Sequence, residues 1–281
     1  NMYTKLVTAI RKTPGLVTVA RAAGKLVPDR IVVRNVKGLG QFAFRLKRHR
    51  WLLGDEPFAG HHQSTLGLFR QVIHPGDVVY DIGANIGYYT RFIAQDMGAR
   101  QVIAFEPMSE NVELLSKNVQ LGKLESKVKV MAMALSDHDG SESLQIDDVM
   151  GGTAVLDSVS HGEASASRQR LGLKPKTETV SIRTLDRLID EAKLPKPDVM
   201  KIDTEGAEAI VLKGAEGVLK NKRPRLLIAL HGEQPARATL ELLHKHGYIC
   251  YGTTSKGPET RPLTLADAVS LQDNNIIALP G

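Results

Sequence analysis

From about residue 77 to residue 252, short apolar runs alternate with longer amphipathic runs. The apolar runs have the length of strands, and the first of them, Asp77–Ile82, ends at Gly83. Strand-like segments that alternate with helical segments are typical of βαβ units, which form a parallel sheet covered by helices on both faces. We therefore predict an α/β fold with a central strand at 198–202 and a last strand at 275–279.

The sequence also predicts the limits of individual strands, of one helix and of one long connection. Residues 127–135 are predicted as one strand and residues 207–219 as one helix. Strands at 141–146 and 178–183 are predicted to pair with each other. The connection at 150–177 is polar, rich in Gly and Ser and long, so we expect a functional lid or a partly mobile segment.

Positive charge is concentrated at the start of the chain. The first 50 residues contain twelve Lys or Arg and one acidic residue, so they carry a charge of +11, whereas the remainder carries −5. We predict amphipathic helices within 2–27 and short strands at 31–33 and 41–46. Such a segment indicates either an anionic partner, such as an acidic membrane surface, a nucleic acid or a charged substrate, or a solvated basic face.

Composition excludes several classes of protein. One cysteine, Cys250, excludes an internal disulfide and a thiolate-rich zinc site. No apolar run approaches the roughly 20 residues that span a bilayer, and basic residues interrupt the N-terminal stretch that a secretory signal would need. We expect a cytoplasmic protein, with peripheral membrane contact left open. It is divided into a basic extension at 1–53 and a main domain at 54–281.

An acidic motif that contains glycine, Asp81-Ile-Gly-Ala-Asn-Ile-Gly87, follows the first apolar strand. Glycine lets a backbone turn tightly and approach a ligand closely, and ligands of open α/β sheets bind at the carboxyl ends of strands. A carboxylate here suits a cation better than a pyrophosphate. S-adenosylmethionine carries an ammonium and a sulfonium and no phosphate, so Asp81 favours this cofactor over NAD.

The next two strand ends carry residues that suit a nucleoside. Glu106, in Phe-Glu-Pro, lies 23 residues after Gly83 and can accept hydrogen bonds from both ribose hydroxyls. The alternative is a surface glutamate before a turn. The segment Ala134–Asp137 ends the third strand, where we expect the adenine, and the alternative there is an ordinary β-turn.

The densest group of charges follows the central strand. It contains the carboxylates of Asp203, Glu205 and Glu208, close to the expected position of the cofactor's reactive atom. Because burying this much charge is costly, we expect the carboxylates to hold an acceptor hydroxyl, to take its proton or to bind a divalent cation. Glu208 could equally well stabilise the following helix through its dipole.

His231 follows the next strand, in Leu-His-Gly-Glu, and is predicted to face the same cleft. Its ordinary pKa of about 6.5 suits a general base, although a single histidine is more often structural. The remaining histidines are dispersed and form no recognisable set of metal ligands. We therefore assign no metal ligand, and the need for a divalent cation stays open.

In this order, the motifs resemble those of the FkbM-type S-adenosylmethionine-dependent methyltransferases. The resemblance rests above all on DIGANIGYY and KIDTEGAE, and it covers roughly residues 54–280. It implies a class I methyltransferase (Rossmann-like) fold with a seven-stranded sheet, of which six strands are parallel and one is antiparallel. It also implies O-methylation of a hydroxyl on a sugar, a glycolipid or a polyketide-type natural product, with S-adenosylhomocysteine as the second product.

The resemblance also assigns residues. It places the acidic motif of Asp203, Glu205 and Glu208 beside the methyl group of the cofactor, and it matches Glu56 to an acidic residue that is often found just upstream in the family. We predict Glu56, Glu205 and Glu208 to contact the substrate. The family often carries Glu in the strand before the histidine, where this chain has Ala229. We predict Asp203, Glu205 and His231 as catalytic. The predicted cofactor site comprises Asp81, Gly83, Ala84, Asn85, Gly87, Tyr88, Glu106, Pro107, Ser136 and Asp203.

Three other functions remain open from the sequence. An RNA methyltransferase would use the basic segment on phosphates, but aromatic residues make up only 5 % of the chain, which disfavours a nucleic-acid platform. A nicotinamide dehydrogenase shares the fold class, but this chain lacks Gly-x-Gly-x-x-Gly at the first strand. The third alternative is a protein that binds a nucleoside cofactor without catalysis.

Overall fold

The structure, a computed structural model, describes residues 29–46, 48–49, 52, 61–147, 153–160, 176–254, 257–271 and 275–281. The predicted helices at 2–27, Glu56 and most of the segment 150–177 lie outside these residues. No helix in the described part of the chain is both long enough and apolar enough to cross a membrane.

The described strands and helices alternate as the sequence predicts over most of the chain. The strands are β1 (Ile31–Val36), β2 (Gly40–Arg45), β3 (Val78–Ile82), β4 (Gln101–Phe105), β5 (Val128–Met131), β6 (Ala134–Leu135), β7 (Gly140–Asp147), β8 (Thr153–Leu156), β9 (Thr177–Arg183), β10 (Val199–Ile202), β11 (Arg225–Ala229), β12 (Tyr248–Thr254), β13 (Gly257–Pro262) and β14 (Asn275–Pro280). The helices are α1 (His61–Val72), α2 (Tyr88–Asp96), α3 (Ser109–Leu121), α4 (Asp157–Ser160), α5 (Leu185–Glu191), α6 (Glu208–Lys213), α7 (Glu216–Asn221) and α8 (Glu233–Lys245), with a 3-10 helix at Leu265–Ser270.

The main sheet has the strand order β13-β12-β14-β11-β10-β3-β4-β5. Strands β5, β4, β3, β10 and β11 pair in parallel, and β14 runs antiparallel between β11 and β12. Among the seven strands from β12 to β5, six therefore point one way and β14 points the other way, as predicted. The sheet has eight strands rather than seven because β13 adds an antiparallel edge strand. Its two prolines remove the strand signal from the sequence but are tolerated at a sheet edge.

Helices cover both faces of the main sheet, and the alternation of side chains along each strand separates two apolar cores. In β3, Val78, Tyr80 and Ile82 face the core that contains buried residues of α5, α6, α7 and α8. Val79 faces the other core, which contains buried residues of α1, α2 and α3. Both faces of the sheet are thus buried, as a parallel sheet requires, and ligands have access only at the strand ends.

A second, four-stranded sheet has the order β6-β9-β7-β8. The predicted pairing of 141–146 with 178–183 is confirmed, because β7 and β9 are antiparallel. The single strand predicted at 127–135 is wrong. The chain leaves the main sheet after Met131 and pairs with β9 at Ala134 and Leu135.

The helix predicted at 207–219 is divided into α6 and α7. The division lies at Gly214, where a Cβ atom would be only 1.9 Å from the carbonyl oxygen of Ser136. This close approach joins α6 to the turn after β6. Glycine is therefore required by a contact that lies far away in the sequence.

The hairpin β1–β2 packs into the same core as α2 and α3. The Arg91 side chain is 1 % exposed and donates hydrogen bonds to the carbonyl oxygens of Leu39 and Gln41. Asn118 accepts a hydrogen bond from the Ala43 amide at 2.6 Å and donates one to its carbonyl oxygen at 2.9 Å. The division of the chain at residue 53 stays a prediction, but these contacts attach the described hairpin firmly to the helices that follow it.

Candidate active site

A cavity lies at the carboxyl ends of β3, β4 and β10, beneath the second sheet. Its polar side is formed by the loops after these strands, through Gly83, Asn85, Glu106, Asp203 and Glu205. Its apolar side comes mainly from the second sheet and the segment that enters it. The residues of this apolar wall are Met133, Ala134, Leu135, Leu144, Ala154 and Leu156.

Glu106 presents a buried carboxylate to this cavity, with only 5 % of the residue exposed. One oxygen accepts a hydrogen bond from the Asn85 amide at 2.8 Å. The other accepts hydrogen bonds from the Met108 amide at 3.1 Å and the Asn111 side chain at 3.2 Å. Burial raises the pKa of Glu106 to about 7, although these hydrogen bonds oppose the rise. The carboxylate is therefore held in one orientation before any ligand binds.

Asp81 lies behind the cavity and does not line it. Its side chain is fully buried, with one oxygen 3.1 Å from the Lys201 ammonium and the other accepting a hydrogen bond from the Thr90 hydroxyl at 2.6 Å. Lys201 also donates to the Gly83 carbonyl oxygen at 3.0 Å. Burial opposes the charged ammonium, but attraction to Asp81 and Asp203 outweighs it and raises the pKa of Lys201. The Asp81–Lys201 ion pair therefore fixes the turn at Gly83 through the hydrogen bond from Lys201 to the Gly83 carbonyl oxygen.

Gly83 makes a close approach to the backbone of a neighbouring turn, which the sequence does not predict. Its φ angle is +77°, in the left-handed region, and a Cβ atom there would lie 1.9 Å from the carbonyl oxygen of Asp203. The turns after β3 and β10 are thus in backbone contact. This contact places Asp203 next to the loop that carries Asn85.

Four ionisable side chains meet where β10 and β11 end. His231 Nε2 lies 3.7 Å from Asp203 Oδ1 and 3.8 Å from Glu205 Oε2, and His231 Nδ1 lies 3.0 Å from Glu208 Oε1. The Glu208 side chain is fully buried, and the same oxygen accepts hydrogen bonds from the amides of Thr204 and Gly206. Glu208 therefore organises the turn and also orients the imidazole.

The charges in this group act on one another. Burial alone would lower the pKa of His231, but the hydrogen bond to Glu208 and the carboxylates of Glu205 and Asp203 raise it to about 9. Burial is the main cause that raises the pKa of Glu205, and repulsion from Asp203 and Glu208 adds to it. The group can therefore hold a proton or another cation between the imidazole and the carboxylates.

The structure brings together about half of the residues predicted from the sequence. Glu56 lies outside the described residues. Gly87 and Tyr88 pack into the core near Leu115 and Phe42 instead of facing the cavity. Those that line the cavity are Gly83, Asn85, Glu106, Pro107, Asp203 and Glu205; those that do not are Asp81, Ala84, Gly87, Tyr88, Ser136, Glu208 and His231.

Sequence reasoning missed part of the apolar wall and one polar contact. Leu144, Ala154 and Leu156 belong to strands of the second sheet, and they carry no motif that distinguishes them from core residues. Asn111 lies one turn into α3 and binds Glu106. Its position five residues after Glu106 was the available signal, because the first turn of a helix that follows a strand faces the strand end.

The comparison with protein families agrees with this geometry. The model of the methyltransferase FkbM domain matches residues 81–250, which include the end of β3 with the glycine turn, the acidic turn after β10 and His231. This range covers more than half of the chain.

Individual relatives are more distant. The chain is 28 % identical over 207 residues to the AMB antimetabolite synthetase AmbE of Pseudomonas aeruginosa, covering 63 % of this chain and 10 % of that protein. It is 26 % identical over 161 residues to the hexuronic acid methyltransferase AglP of Haloferax volcanii, covering 57 % of this chain and 58 % of AglP. It is 28 % identical over 199 residues to the 31-O-demethyl-FK506 methyltransferase FkbM of Streptomyces tacrolimicus, covering 63 % of this chain and 74 % of that enzyme.

The match thus spans a tenth of AmbE and less than two thirds of AglP. The family match is broader, because it includes both strand-end motifs from which the site is built. The chain belongs to the FkbM methyltransferase domain family.

Proposed function

We propose that this chain is an S-adenosylmethionine-dependent O-methyltransferase that acts on a hydroxyl of a sugar, a glycolipid or a polyketide-type natural product. One observation carries the proposal. The carboxylates of Glu106, Asp203 and Glu205 line the same cavity. Glu106 follows β4, Asp203 and Glu205 follow β10, and strand β3 lies between β4 and β10 in the sheet. The Glu106 carboxylate suits a ribose, whereas the carboxylates of Asp203 and Glu205 suit a cationic centre and an acceptor hydroxyl.

The residues fit the cofactor that the family implies. The Glu106 carboxylate can accept hydrogen bonds only, which matches a pair of ribose hydroxyls. The apolar wall from Met133 to Leu156 offers surfaces for an adenine ring. The excess of carboxylates beyond β10 suits an ammonium and a sulfonium better than it suits the phosphates of a dinucleotide.

When bound, S-adenosylmethionine supplies a methyl group on a sulfonium and leaves as neutral S-adenosylhomocysteine. The task of the chain is then to align the acceptor oxygen with the methyl carbon and the sulfur. Asp203 and Glu205 line the cavity where such a hydroxyl would be held. As the new C–O bond forms and the S–C bond breaks, the hydroxyl proton must pass to a base.

We assign the base to Asp203 rather than to His231. The Nδ1 atom of His231 donates to Glu208, and its raised pKa of about 9 keeps the imidazole protonated at neutral pH. A protonated imidazole cannot take a proton, whereas the Asp203 carboxylate is half-buried and faces the cavity. Glu205 is assigned to orienting the acceptor.

The names of the relatives support the substrate class. One is a hexuronic acid methyltransferase and another is a 31-O-demethyl-FK506 methyltransferase. To test the proposal, calorimetry should show that the protein binds S-adenosylmethionine and does not bind NAD. A screen of glycan, lipid-linked and polyketide acceptors, with the products analysed by mass spectrometry, should then show a gain of one methyl group. Binding of NAD alone would support a dehydrogenase instead.

Changing Glu106 should make cofactor binding weaker and should remove the part of its pH dependence that Glu106 causes. We expect Glu106→Gln to lose about 1.5–3 kcal/mol of binding free energy, the range for a hydrogen bond to a charged group. Because the carboxylate has a raised pKa of about 7, its protonation should weaken binding to the parent as pH falls below 7. The measurement is calorimetry with S-adenosylmethionine from pH 5.5 to about pH 8, spanning that pKa.

The cofactor's own amine titrates identically with both proteins, so the difference between the two curves isolates Glu106. Equal affinity for the parent and for Glu106→Gln at about pH 8, above the pKa, would show that the ribose does not bind there.

We also propose that the chain acts in the cytoplasm, where the basic segment at 1–50 attracts an anionic surface that carries the acceptor. Part of this positive charge is neutralised within the protein, because Arg45 and Arg48 form ion pairs with Glu110. A variant lacking residues 2–27 should bind S-adenosylmethionine normally but bind anionic vesicles more weakly than the parent does. Each lost basic residue is worth on the order of 1 kcal/mol near such a surface.

Co-sedimentation with vesicles, repeated at increasing salt, is the measurement for this segment. The difference between the two proteins should shrink as salt rises, because screening reduces the attraction. Absence of vesicle binding by the parent at low salt would contradict a membrane role.

A further inference from the structure

We infer that Asp203, Glu205 and His231 together bind a divalent cation of the Mg²⁺ or Mn²⁺ type at the edge of the cofactor cavity. The site itself follows from the geometry of these side chains. Only its role in catalysis rests on the proposed function. Two carboxylates and one imidazole are a ligand set that suits Mn²⁺, and carboxylates with water suit Mg²⁺.

The spacing of the three ligand atoms supports such a site. One atom from each side chain lies within 4.8 Å of the other two. His231 Nε2 is 3.7 Å from Asp203 Oδ1 and 3.8 Å from Glu205 Oε2. With metal–ligand distances of about 2.1 Å, neighbouring ligands of an octahedral cation lie roughly 3.0 Å apart. The two carboxylate oxygens therefore need to approach His231 Nε2 by less than about 1 Å, and to approach each other by at most about 1.8 Å.

Glu208 determines which nitrogen of His231 faces the other ligands. A carboxylate without a proton can only accept hydrogen bonds, so Nδ1, at 3.0 Å from Glu208 Oε1, must carry a proton. When a metal ion takes the place of the proton on Nε2, the ring is neutral and directs the lone pair of Nε2 toward Asp203 and Glu205. A buried carboxylate that fixes a histidine in this way is the usual support of a metal-binding imidazole.

The balance of charge points in the same direction. Four carboxylates lie in and behind this group, and Lys201 is the ammonium that contacts two of them, Asp81 and Asp203. With a neutral imidazole, three negative charges are therefore left over, and three acceptor atoms converge without a donor from the described residues between them. A cation at this point, either a proton on Nε2 or a metal ion in its place, offsets part of this charge.

A metal ion here would define the acceptor more closely. Three protein ligands leave the remaining positions of an octahedral ion open toward the cavity, which Asp203 and Glu205 line. Two adjacent oxygens of one acceptor could fill two of these positions. If the proposed function is correct, we therefore expect an acceptor that chelates, such as a vicinal diol or a hydroxy acid, and methylation of one of its two oxygens.

The experiment measures binding of Mn²⁺ alone to the cofactor-free protein, by the loss of the free-ion signal in electron paramagnetic resonance. The parent should bind one Mn²⁺ per chain. Glu205→Gln and His231→Gln should each weaken binding by at least about 10-fold, and Glu208→Gln by about 10–100-fold, the range for a residue that orients a ligand. His246→Gln is the matched control, because His246 Nε2 also lies near a single carboxylate, 3.6 Å from Glu216 Oε1. It should leave binding unchanged.

The outcomes separate this inference from the proposed function. No binding of Mn²⁺ by the parent at millimolar concentration, or equal binding by Glu205→Gln, overturns the inference and assigns a proton to Nε2. Methyl transfer that persists in the presence of EDTA would then leave the proposed function intact. Binding of Mn²⁺ that depends on Glu205 and His231 supports the metal site even if the acceptor screen finds no methyl transfer, and that failure would count against the proposed function alone.

Discussion

Asp203→Asn is expected to lower the rate of methyl transfer by about 10²–10⁴, the usual contribution of a positioned acid or base. Asparagine has nearly the same shape as aspartate, and the Asp203 amide keeps its hydrogen bond to the Ile82 carbonyl oxygen at 3.0 Å. The turn after β10 should therefore keep its geometry. What is lost is the negative charge that accepts the proton and that also faces His231 Nε2.

The measurement combines steady-state turnover with calorimetry. Affinity for S-adenosylmethionine should fall far less than turnover, because Glu106 provides the main polar contact that we assign to the nucleoside and Glu205 keeps a carboxylate in the cavity. Asp190→Asn serves as the control, since Asp190 is an exposed residue at the end of α5 and should have no effect. If cofactor affinity falls as much as turnover, Asp203 is a binding residue. If turnover is unchanged, Asp203 does not act as the base, and His231 becomes the candidate base.

Much of this site could be predicted from the sequence because its polar residues follow buried strands directly. Glu106 and Asp203 each come after a run of apolar residues, and the carboxyl ends of parallel strands meet at one edge of a sheet. The position of a residue along its own strand is therefore enough to bring these two carboxylates into one cavity. The same position along the chain predicted β3 and β10 to within one residue.

The parts that sequence reasoning missed depend on contacts between distant segments. Asp81 was predicted to touch the cofactor, but Lys201, 120 positions later, is on the adjacent strand and pairs with it. Glu208 was predicted either to bind substrate or to favour a helix dipole. It does lie in the first turn of α6, and it also accepts hydrogen bonds from its own turn and contacts His231. The pairing of neighbouring strands brings Lys201 to Asp81 and His231 to the turn of Glu208, and neither of these two contacts has a local pattern.

Lys201→Met should be among the most destabilising single changes near the site, with a loss of about 3–5 kcal/mol in the free energy of unfolding. Methionine matches the length and volume of lysine but leaves the Asp81 carboxylate, which is 0 % exposed, with Thr90 as its remaining described hydrogen-bond donor. Asp81→Asn should lower the free energy of unfolding by less than Lys201→Met does. The Lys201 ammonium still lies 3.4 Å from Asp203 and still donates to the Gly83 carbonyl oxygen at 3.0 Å.

Urea denaturation of the cofactor-free protein measures both changes, provided that the slope of the unfolding free energy against urea stays constant. Lys222→Met is the matched control. The Lys222 ammonium lies 2.7 Å from Asp198, but 36 % of its side chain is exposed, and a surface pair of this kind contributes about 0–1 kcal/mol. The contrast between the two lysines therefore tests burial rather than ion-pair distance.

The double variant Asp81→Asn, Lys201→Met decides whether the two residues act as a pair. Once Asp81 is uncharged, Lys201→Met no longer leaves a buried carboxylate without a cation, so the double variant should cost clearly less than the sum of the two single changes. Coupling between contacting residues is typically about 0.5–3 kcal/mol. Additive effects would mean that Asp81 and Lys201 stabilise the turn independently.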